Sequence, residues 1–427
     1  MRSGQKSELV QLLEASTAVD CPDVDVKVFD VATVVNVLPP GKSETFKDYA
    51  TSVFLTYVIK QAQNIKGIDL IWDQYFENSL KRNTREARGS GVRRHVCDNA
   101  SIPVNWKSFL RSDENKKDLF HYLAESVAAL QLPRVQIITT SGVDVLSSSL
   151  VETEGLTSCN HEEADTRIFI HVKHASATGL KKVLIRTVDT DVVVLAIAYA
   201  RKLELQELWI AFGVGNHFRY LPIHKITTSL TQQQCEALPF FHAVTGCDTV
   251  SYFAGEGKKT AFQAWKSNPE VTEIFRVLSS SQDTVYEKQC HALERFVVVM
   301  YSHTCPHQTI NEARQVLFAQ GNKSIENIPP TQAALAQHIK RAAYQAGHVW
   351  GQALGPMQEL PSPAEWGWQQ SPEGWSPKWT TLAEASKTCS ELVSCGYKRA
   401  CRGLCKCTKA NLPCTALCSC PGSCYQE

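Results

Sequence analysis

The chain has 427 residues, of which 43% are hydrophobic and 20% are charged, and its formal net charge at pH 7 is +1. This composition is that of a globular protein and excludes a disordered one. A net charge so close to zero does not indicate a polyanionic partner, so evidence for such a partner must come from the charge of local segments.

The sequence also bears on compartment. The N-terminal residues lack the apolar run of a secretory signal, and the longest apolar stretch, Val192 to Ala200, is too short to span a bilayer. We therefore expect a soluble, intracellular protein with no membrane association. Cysteines stay reduced in that compartment, so the 16 cysteines indicate metal binding rather than disulfides.

Residues 1–25 carry little signal and are assigned as an N-terminal segment. From residue 26 to about 284, short β-branched runs alternate with helical patterns, which predicts an α/β domain with a mainly parallel sheet. The strand candidates are Val26–Phe29, Ile68–Trp72, Arg134–Thr139, Lys182–Val188 and Glu207–Phe212.

Carboxylates follow three of these strands. The carboxyl ends of parallel strands share one edge of a sheet, where sites are built, so these side chains should converge. Clustered carboxylates repel each other unless cations neutralise them, and hard oxygen ligands select Mg²⁺ or Mn²⁺. The predicted set for a two-metal site is Asp30, Asp73, Glu163, Asp165, Asp189, Asp191 and Asp248. Taken singly, each residue also fits a turn, a helix cap or a solvated helical turn.

The order of these pieces resembles the flap-endonuclease (XPG-type) branch of the PIN-like nucleases, over about residues 26–266. In that family the second strand-end aspartate is followed by a lysine and an arginine that hold the scissile phosphate. Here LIWDQYFENSLKRNTREAR supplies Asp73, Lys81 and Arg88. The resemblance implies a PIN-like α/β core and metal-dependent hydrolysis of phosphodiesters, with DNA favoured over RNA, and it gives Lys81 and Arg88 catalytic roles.

The segment FAGEGKK follows Asp248 and matches the glycine hairpin and helix that close the family's pattern. Gly255 and Gly257 permit backbone conformations in which consecutive amides bind an anion, and the following KKTAFQAW has a helical pattern. We therefore predict phosphate contacts by Gly255, Gly257, Lys258 and Lys259. The alternative is a plain structural corner with exposed lysines.

Residues 285–354 have helical patterns and are assigned as a helical extension. Residues 355–386 form a segment with five prolines and four of the nine tryptophans, Trp366, Trp368, Trp375 and Trp379. So many large aromatic side chains favour a strap that packs on the globular body rather than a free tether.

Residues 387–427 are rich in cysteine and poor in large apolar residues, so metal binding would supply most of their folding energy. Zinc prefers four thiolates, and nine thiolates satisfy three zinc ions if three of them bridge two metals each. The predicted zinc ligands are Cys389, Cys395, Cys401, Cys405, Cys407, Cys414, Cys418, Cys420 and Cys424. A disulfide knot or a redox tract is the alternative.

The stretch CKCTKANLPCTALCSC resembles the tesmin-type CXC module of chromatin proteins, and also the nine-cysteine, three-zinc pre-SET cluster. The CXC resemblance implies DNA binding, for which Lys406 and Lys409 are candidates, with chromatin as a partner and a nuclear location. A metal-stapled protein-interaction knob is the alternative for this module.

The whole arrangement resembles uncharacterised animal proteins linked to mobile elements. This resemblance leaves a second interpretation open: a catalytically inactive, transposon-derived protein that binds DNA or chromatin through the tail. The two interpretations differ in one observable. A nuclease needs its carboxylates within one metal-sized cluster, whereas a relic tolerates scattered ones.

Overall fold

The computed structural model describes residues 6–14, 20–76, 78–82, 85, 91–147, 153–320, 327–382, 405, 407, 418 and 419. The chain forms two compact units, residues 1–379 and residues 380–427. The first unit contains the sheet and the helices described below. None of the helices in the described ranges combines the length and the apolar character needed to cross a membrane.

Within the described ranges, the main sheet has seven strands in the order β4-β3-β2-β1-β5-β6-β7. The five inner strands pair in parallel, while β4 and β7 add antiparallel edges. The prediction of an α/β fold with a mainly parallel sheet is therefore confirmed. The bounds are β1 Val26–Asp30, β2 Gly67–Ile71, β3 Gln136–Ser141, β4 Asp144–Ser147, β5 Lys182–Thr187, β6 Glu207–Phe212 and β7 Arg219–Pro222.

The inner strands are nearly continuous apolar runs because helices cover both faces of the sheet. On β1, Val26 and Val28 pack into one hydrophobic cluster, whereas Phe29 points into a second cluster on the opposite face. The order of the strands reverses at β1, since β2 and β3 lie on one side of it and β5 and β6 on the other. Open α/β sheets bind ligands at such a switch point, outside the carboxyl ends of the strands.

One face of the sheet carries the helices that lie between β1 and β3 in the sequence. They are α2 Val31–Val37, α3 Phe46–Asp48, α4 Thr56–Gln61, α5 Trp106–Phe109 and α6 Asp113–Ala128. A π-helix, Tyr49–Leu55, joins α3 to α4. The other face carries α1 Glu8–Leu13, α7 Ala164–Ala177, α8 Thr190–Tyr199, α9 Ile223–Thr228 and α10 Gln232–Val244. The helices that pack beyond these are α11 Lys258–Ser267, α12 Val271–Leu278, α13 Glu287–Tyr301, α14 Ile310–Ala319 and α15 Gln332–Ala343, which ends in a π-helix Tyr344–Val349.

The tryptophan-rich segment folds as a 3₁₀ turn, Pro363–Trp366, and a hairpin of β8 Trp368–Ser371 and β9 Gly374–Pro377. Trp366 and Trp368 are buried in the same cluster as the helices, whereas Trp379 is exposed. The division of the chain at residues 284 and 354 stays a prediction.

Candidate active site

Asp30 ends β1 and caps α2. Its Oδ1 accepts a hydrogen bond from the amide of Thr33 at 3.1 Å, and its Oδ2 accepts from the hydroxyls of Thr33 at 2.5 Å and Thr187 at 3.1 Å. Thr187 is the last residue of the neighbouring strand β5. The carboxylate is therefore held in place by short polar side chains at the switch point of the sheet.

Asp73 lies two residues after β2, and its Oδ1 accepts a hydrogen bond from the amide of Ala164 at 2.9 Å. Ala164 is the first residue of α7, so this bond ties the end of β2 to a helix N-terminus. Glu163 occupies the N-cap position of that helix, and Asp165 lies in its first turn. Two separate segments of the chain thus bring three carboxylates together.

Asp189 caps α8, and its Oδ1 accepts from the amide of Asp191 at 2.9 Å. Asp165, Asp189 and Asp191 each offer a carboxylate oxygen, and these atoms lie within 4.8 Å of one another. This spacing fits ligands of one cation. The Nε2 of His242 on α10 is 2.8 Å from the Oδ1 of Asp191 and orients that carboxylate.

A cleft of about 420 Å³ opens above these groups. Six of the seven predicted carboxylates line it: Asp30, Asp73, Glu163, Asp165, Asp189 and Asp248. The seventh, Asp191, is buried beside Asp165 and Asp189. The structure therefore brings the whole predicted acidic set into one cluster at the carboxyl edge of the sheet, which we call the carboxylate cluster.

Burial raises the pKa of five of these acids above their ordinary values, namely Asp30, Asp73, Glu163, Asp165 and Asp189. Burial, helped by the charge of Asp30, raises the pKa of Asp73 to about 6, and burial with the charge of Asp191 raises that of Asp189 to about 6. For Glu163 burial outweighs the neighbouring Lys81 and raises the pKa to about 7. The pKa of Asp165 is raised well above normal by burial and then by Asp189. Packed carboxylates without a cation hold protons at pH values where isolated ones do not.

Two lysines contact the cluster. The predicted Lys81 pairs with Glu163 and lies 3.8 Å from Asp248. Lys6, which the sequence did not single out, places its Nζ 2.6 Å from the Oδ1 of Asp248 and 3.1 Å from the Oδ1 of Asp191. The predicted Arg88 lies outside the described residues.

Two further cations, Arg85 and Lys116, line the cleft, and each pairs there with Asp113, at 2.9 and 2.8 Å. Arg85 bonds Glu162 at 2.9 Å, and both Arg85 and Lys116 lie over the ring of Tyr75. Arg85 belongs to a basic stretch visible in the sequence. Lys116 lies on α6, in DENKKDLF, where no local pattern marks it.

The glycine hairpin corrects one prediction. Gly255 has φ +79°, and α11 begins directly after Gly257, as expected. Lys258, however, is buried, and its Nζ donates to the carbonyl of His242 and to the hydroxyl of Thr245, both at 2.9 Å. Lys258 therefore braces the end of α10 and does not reach a phosphate, whereas Lys259 is exposed and stays a candidate.

The loop before α7 is fixed by a distant part of the chain. The side chain of Asn160 donates to the carbonyl of Gln358 at 2.9 Å and accepts from its amide at 2.7 Å. His161 donates through Nε2 to the carbonyl of Gly355 at 2.8 Å, and burial lowers its pKa to about 4, which keeps the ring neutral. The strap thus positions the residues that lead into Glu163.

In the tail unit, Cys405, Cys407 and Cys418 are described, and the Sγ atoms of Cys407 and Cys418 are 3.8 Å apart. Tetrahedral zinc with Zn–S bonds of about 2.3 Å places its sulfurs about 3.8 Å apart. The other predicted ligands and the two lysines lie outside the described residues: Cys389, Cys395, Cys401, Cys414, Cys420, Cys424, Lys406 and Lys409.

No family model and no curated protein matches the sequence. Among solved structures, the chain is similar to the catalytic core of Rad2 in complex with DNA substrate, at 10% identity and a TM-score of 0.39, covering 86% of this chain and 90% of that one. It is also similar to a flap endonuclease of bacteriophage T5 in complex with DNA and metal ions, at 10% identity and a TM-score of 0.35, covering 75% of this chain and 99% of that one. These likenesses are loose, and the functional conclusion rests on the carboxylate cluster itself.

Proposed function

We propose that this protein hydrolyses DNA phosphodiesters with the help of two divalent cations, Mg²⁺ or Mn²⁺, held by the carboxylate cluster. One observation supports this proposal most directly. Seven carboxylates from separate segments of the chain meet in one half-buried cluster, where burial raises the pKa of several of them. Three of these acids lie at the spacing of ligands to one cation, whereas a catalytically inert relic would tolerate scattered acids.

The donor set fits the proposed cations. All of the candidate ligands are carboxylate oxygens, which hard cations prefer, and no thiolate or free imidazole stands among them. Asp165, Asp189 and Asp191 would hold one cation, since their oxygens lie within 4.8 Å of one another. Asp30, Asp73 and Glu163 line the same cleft and would hold the other.

Bound cations would supply an activated water and stabilise the leaving oxygen. The protein's own groups would do the rest. His242 orients Asp191, and the hydroxyls of Thr33 and Thr187 orient Asp30, so both acids are fixed before a ligand arrives. Lys81, at the wall of the cleft, would stabilise negative charge on the phosphate, and Arg88 is proposed for the same role.

Cations around the cleft support a nucleic-acid substrate. Arg85 and Lys116 line the same cleft, and Lys259 is exposed at the start of α11. Such groups contact phosphates without reading sequence. We propose DNA rather than RNA, with Gly255, Gly257 and Lys259 as further backbone contacts.

The direct test is a cleavage assay on flap, bubble and hairpin DNA, with and without Mg²⁺ or Mn²⁺. We expect cleavage of at least one substrate that requires the added cation. A full-length, zinc-loaded protein that cleaves none of them under any of these conditions would contradict the proposal and favour the inactive DNA- or chromatin-binding interpretation.

For residues 387–427 we propose a three-zinc module that binds DNA or chromatin in the nucleus. The separation of the Cys407 and Cys418 sulfurs supports shared metal coordination. Elemental analysis of the purified protein should give about three zinc ions per chain, by the thiolate count. A value near one, or a tail that keeps its fold in excess chelator, would exclude the shared cluster.

A further inference from the structure

Lys6 stands where a cation is expected. Its Nζ lies 2.6 Å from Asp248, 3.1 Å from Asp191 and 3.8 Å from Asp189. Asp189 and Asp191 are also two of the three acids whose oxygens fit one metal ion. A positive charge from the chain itself therefore compensates the same carboxylates that a divalent cation would use.

Glu8, two residues further on, stands where a phosphate is expected. Its Oε2 accepts a hydrogen bond from the amide of Lys259 at 3.2 Å. That amide belongs to the first turn of α11, a helix of ten residues whose N-cap is Gly257. A Cβ atom at position 257 would lie only 3.0 Å from the Oε2 of Glu8, so the absence of a side chain there makes room for the Glu8 carboxylate. Helix N-termini attract phosphates and carboxylates alike, because their free amides and dipole favour negative charge.

These two contacts are anchored. Leu9, Val10 and Leu13 of α1 are buried in the main hydrophobic cluster, and Glu14 after the helix pairs with Arg219. The turn that carries Lys6 and Glu8 is therefore fixed to the body of the protein. Its two charges are separated along the chain by a single residue, yet they face two different elements of the site.

We propose that the turn formed by residues 6–8 is an internal competitor of the substrate. Lys6 holds one cation position of the carboxylate cluster, and Glu8 holds a phosphate position at the N-terminus of α11. The resting chain then takes one divalent cation at the cluster, and the second enters when a nucleic-acid backbone displaces the two side chains. This inference rests on the proposed function, since it concerns the same site.

The first test counts cations on the full-length, zinc-loaded protein by titration with Mn²⁺, followed by electron paramagnetic resonance. Wild type should bind one Mn²⁺ tightly at the cluster. Lys6→Met keeps the length of the side chain and removes its charge, so it should bind a second Mn²⁺ at least about tenfold more tightly than wild type, because three carboxylates lose their internal cation.

Two controls accompany this variant. Lys6→Arg retains the charge and should retain the wild-type count. Lys66→Met removes an exposed lysine that pairs with Asp25 at the opposite edge of the sheet, and it should also leave the count unchanged. Equal numbers and affinities in wild type and Lys6→Met would overturn the inference. If none of the four proteins binds Mn²⁺ at the cluster, the proposed function fails instead.

The second test concerns Glu8. A fluorescent duplex oligonucleotide is titrated with protein in Mg²⁺-free buffer, and Glu8→Gln is compared with Glu14→Gln, an equal change of charge just after the other end of the same helix. Glu8→Gln should bind about threefold more tightly than Glu14→Gln, in line with the strength of charge interactions at helix N-termini. Equal affinities of these two variants would show that Glu8 does not compete with phosphate.

Discussion

Two aspartates at opposite ends of β1 have different neighbours, and their pKa values are shifted in opposite directions. Asp25, just before the strand, pairs with Lys66 at 2.8 Å and accepts hydrogen bonds from the amides of Lys181 and Lys182, both at 3.0 Å. Its bond to Lys66, more than any other contact, lowers its pKa. Asp30, at the other end, accepts hydrogen bonds from the amide and hydroxyl of Thr33 and from the hydroxyl of Thr187, and burial raises its pKa.

The comparison indicates at which edge of the sheet the proposed divalent cations would bind. At the amino edge the chain provides its own compensation, so Asp25 stabilises the fold by itself. At the carboxyl edge the acids outnumber Lys6 and Lys81, and burial, followed by repulsion from a neighbouring aspartate, raises the pKa of Asp73 and Asp189. The carboxyl edge is therefore the edge at which the proposed divalent cations would complete the charge balance.

The largest expected effect is on catalysis. Asp73→Ala or Asp191→Ala should reduce the cleavage rate by at least about a thousandfold, because each removes a proposed ligand worth several kcal/mol of transition-state stabilisation. Asp25→Ala makes the same change of charge at the amino edge and should stay within about threefold of wild type. Single-turnover rates on a common substrate measure this. Equal losses in all three variants would remove the distinction between the edges.

The next effect is on stability, where the two edges should give opposite signs. In Mg²⁺-free buffer, Asp165→Asn relieves repulsion and should stabilise the fold by roughly 1 kcal/mol. Asp25→Asn loses a charge-assisted pair and should destabilise it by about 1–2 kcal/mol. Urea unfolding followed by tryptophan fluorescence gives both values. A destabilised Asp165→Asn would mean that the cluster is already neutralised internally.

The pH dependence of the free energy of unfolding should also differ between the acids at the two edges of the sheet. Asp73, Asp189 and Glu163 have folded pKa values of about 6 to 7, above those of unfolded chains, so the folded protein binds more protons than the unfolded one between about pH 4 and 7. The stability that these groups provide is present below that window and is lost as the pH rises through it, by roughly 1.4 kcal/mol per pH unit for each proton involved.

Saturating Mg²⁺ should flatten this loss, because the cation replaces the protons. Asp25 acts in the opposite sense, since its contribution is present above the unfolded pKa and disappears as the pH falls through its lowered folded pKa. Urea midpoints from pH 4.5 to 7.5, with and without Mg²⁺, provide the measurement. A Mg²⁺-free protein that gains stability between pH 5 and 7 would contradict the raised values.

The smallest effect on DNA binding is expected for Lys259, which is exposed, whereas its neighbour Lys258 is buried and hydrogen-bonded. Lys259→Ala should lower the salt dependence of DNA binding by about one phosphate contact and leave stability unchanged. Lys258→Ala removes buried hydrogen bonds to the end of α10, so it should instead destabilise the fold by about 1–3 kcal/mol. Binding isotherms at several salt concentrations and urea unfolding distinguish the two outcomes.

What the sequence could predict follows from local rules. The inner strands were visible as apolar runs, and the convergence of Asp30, Asp73 and Asp189 followed from the shared edge of parallel strands. The antiparallel strands β4 and β7 were missed because they are short and only partly apolar. The acids of α7 were placed correctly because they cap a helix with a clear pattern.

The contacts of Lys6 and the burial of Lys258 were beyond reach for a different reason. Lys6 meets Asp191 across 185 positions of the chain, and α1 is a six-residue helix without enough periodicity to stand out. Lysine is also rarely buried, and only the carbonyl of His242 and the hydroxyl of Thr245, brought together by tertiary packing, make it acceptable at position 258. Neither arrangement leaves a local signature.

The clamp between Asn160 and Gln358 has a consequence for the time course of synthesis. Asp30 and Asp73 leave the ribosome early, but the loop that leads into Glu163 acquires its fixed partners only when residues 355–358 emerge. Asn160 and Gln358 are 198 positions apart, so at translation rates of about 5–20 residues per second this loop waits roughly 10–40 s for its partners. During this interval the nascent chain carries the proposed ligands without the contacts that fix the loop before Glu163, so the carboxylate cluster is completed only after residues 355–358 have been synthesised.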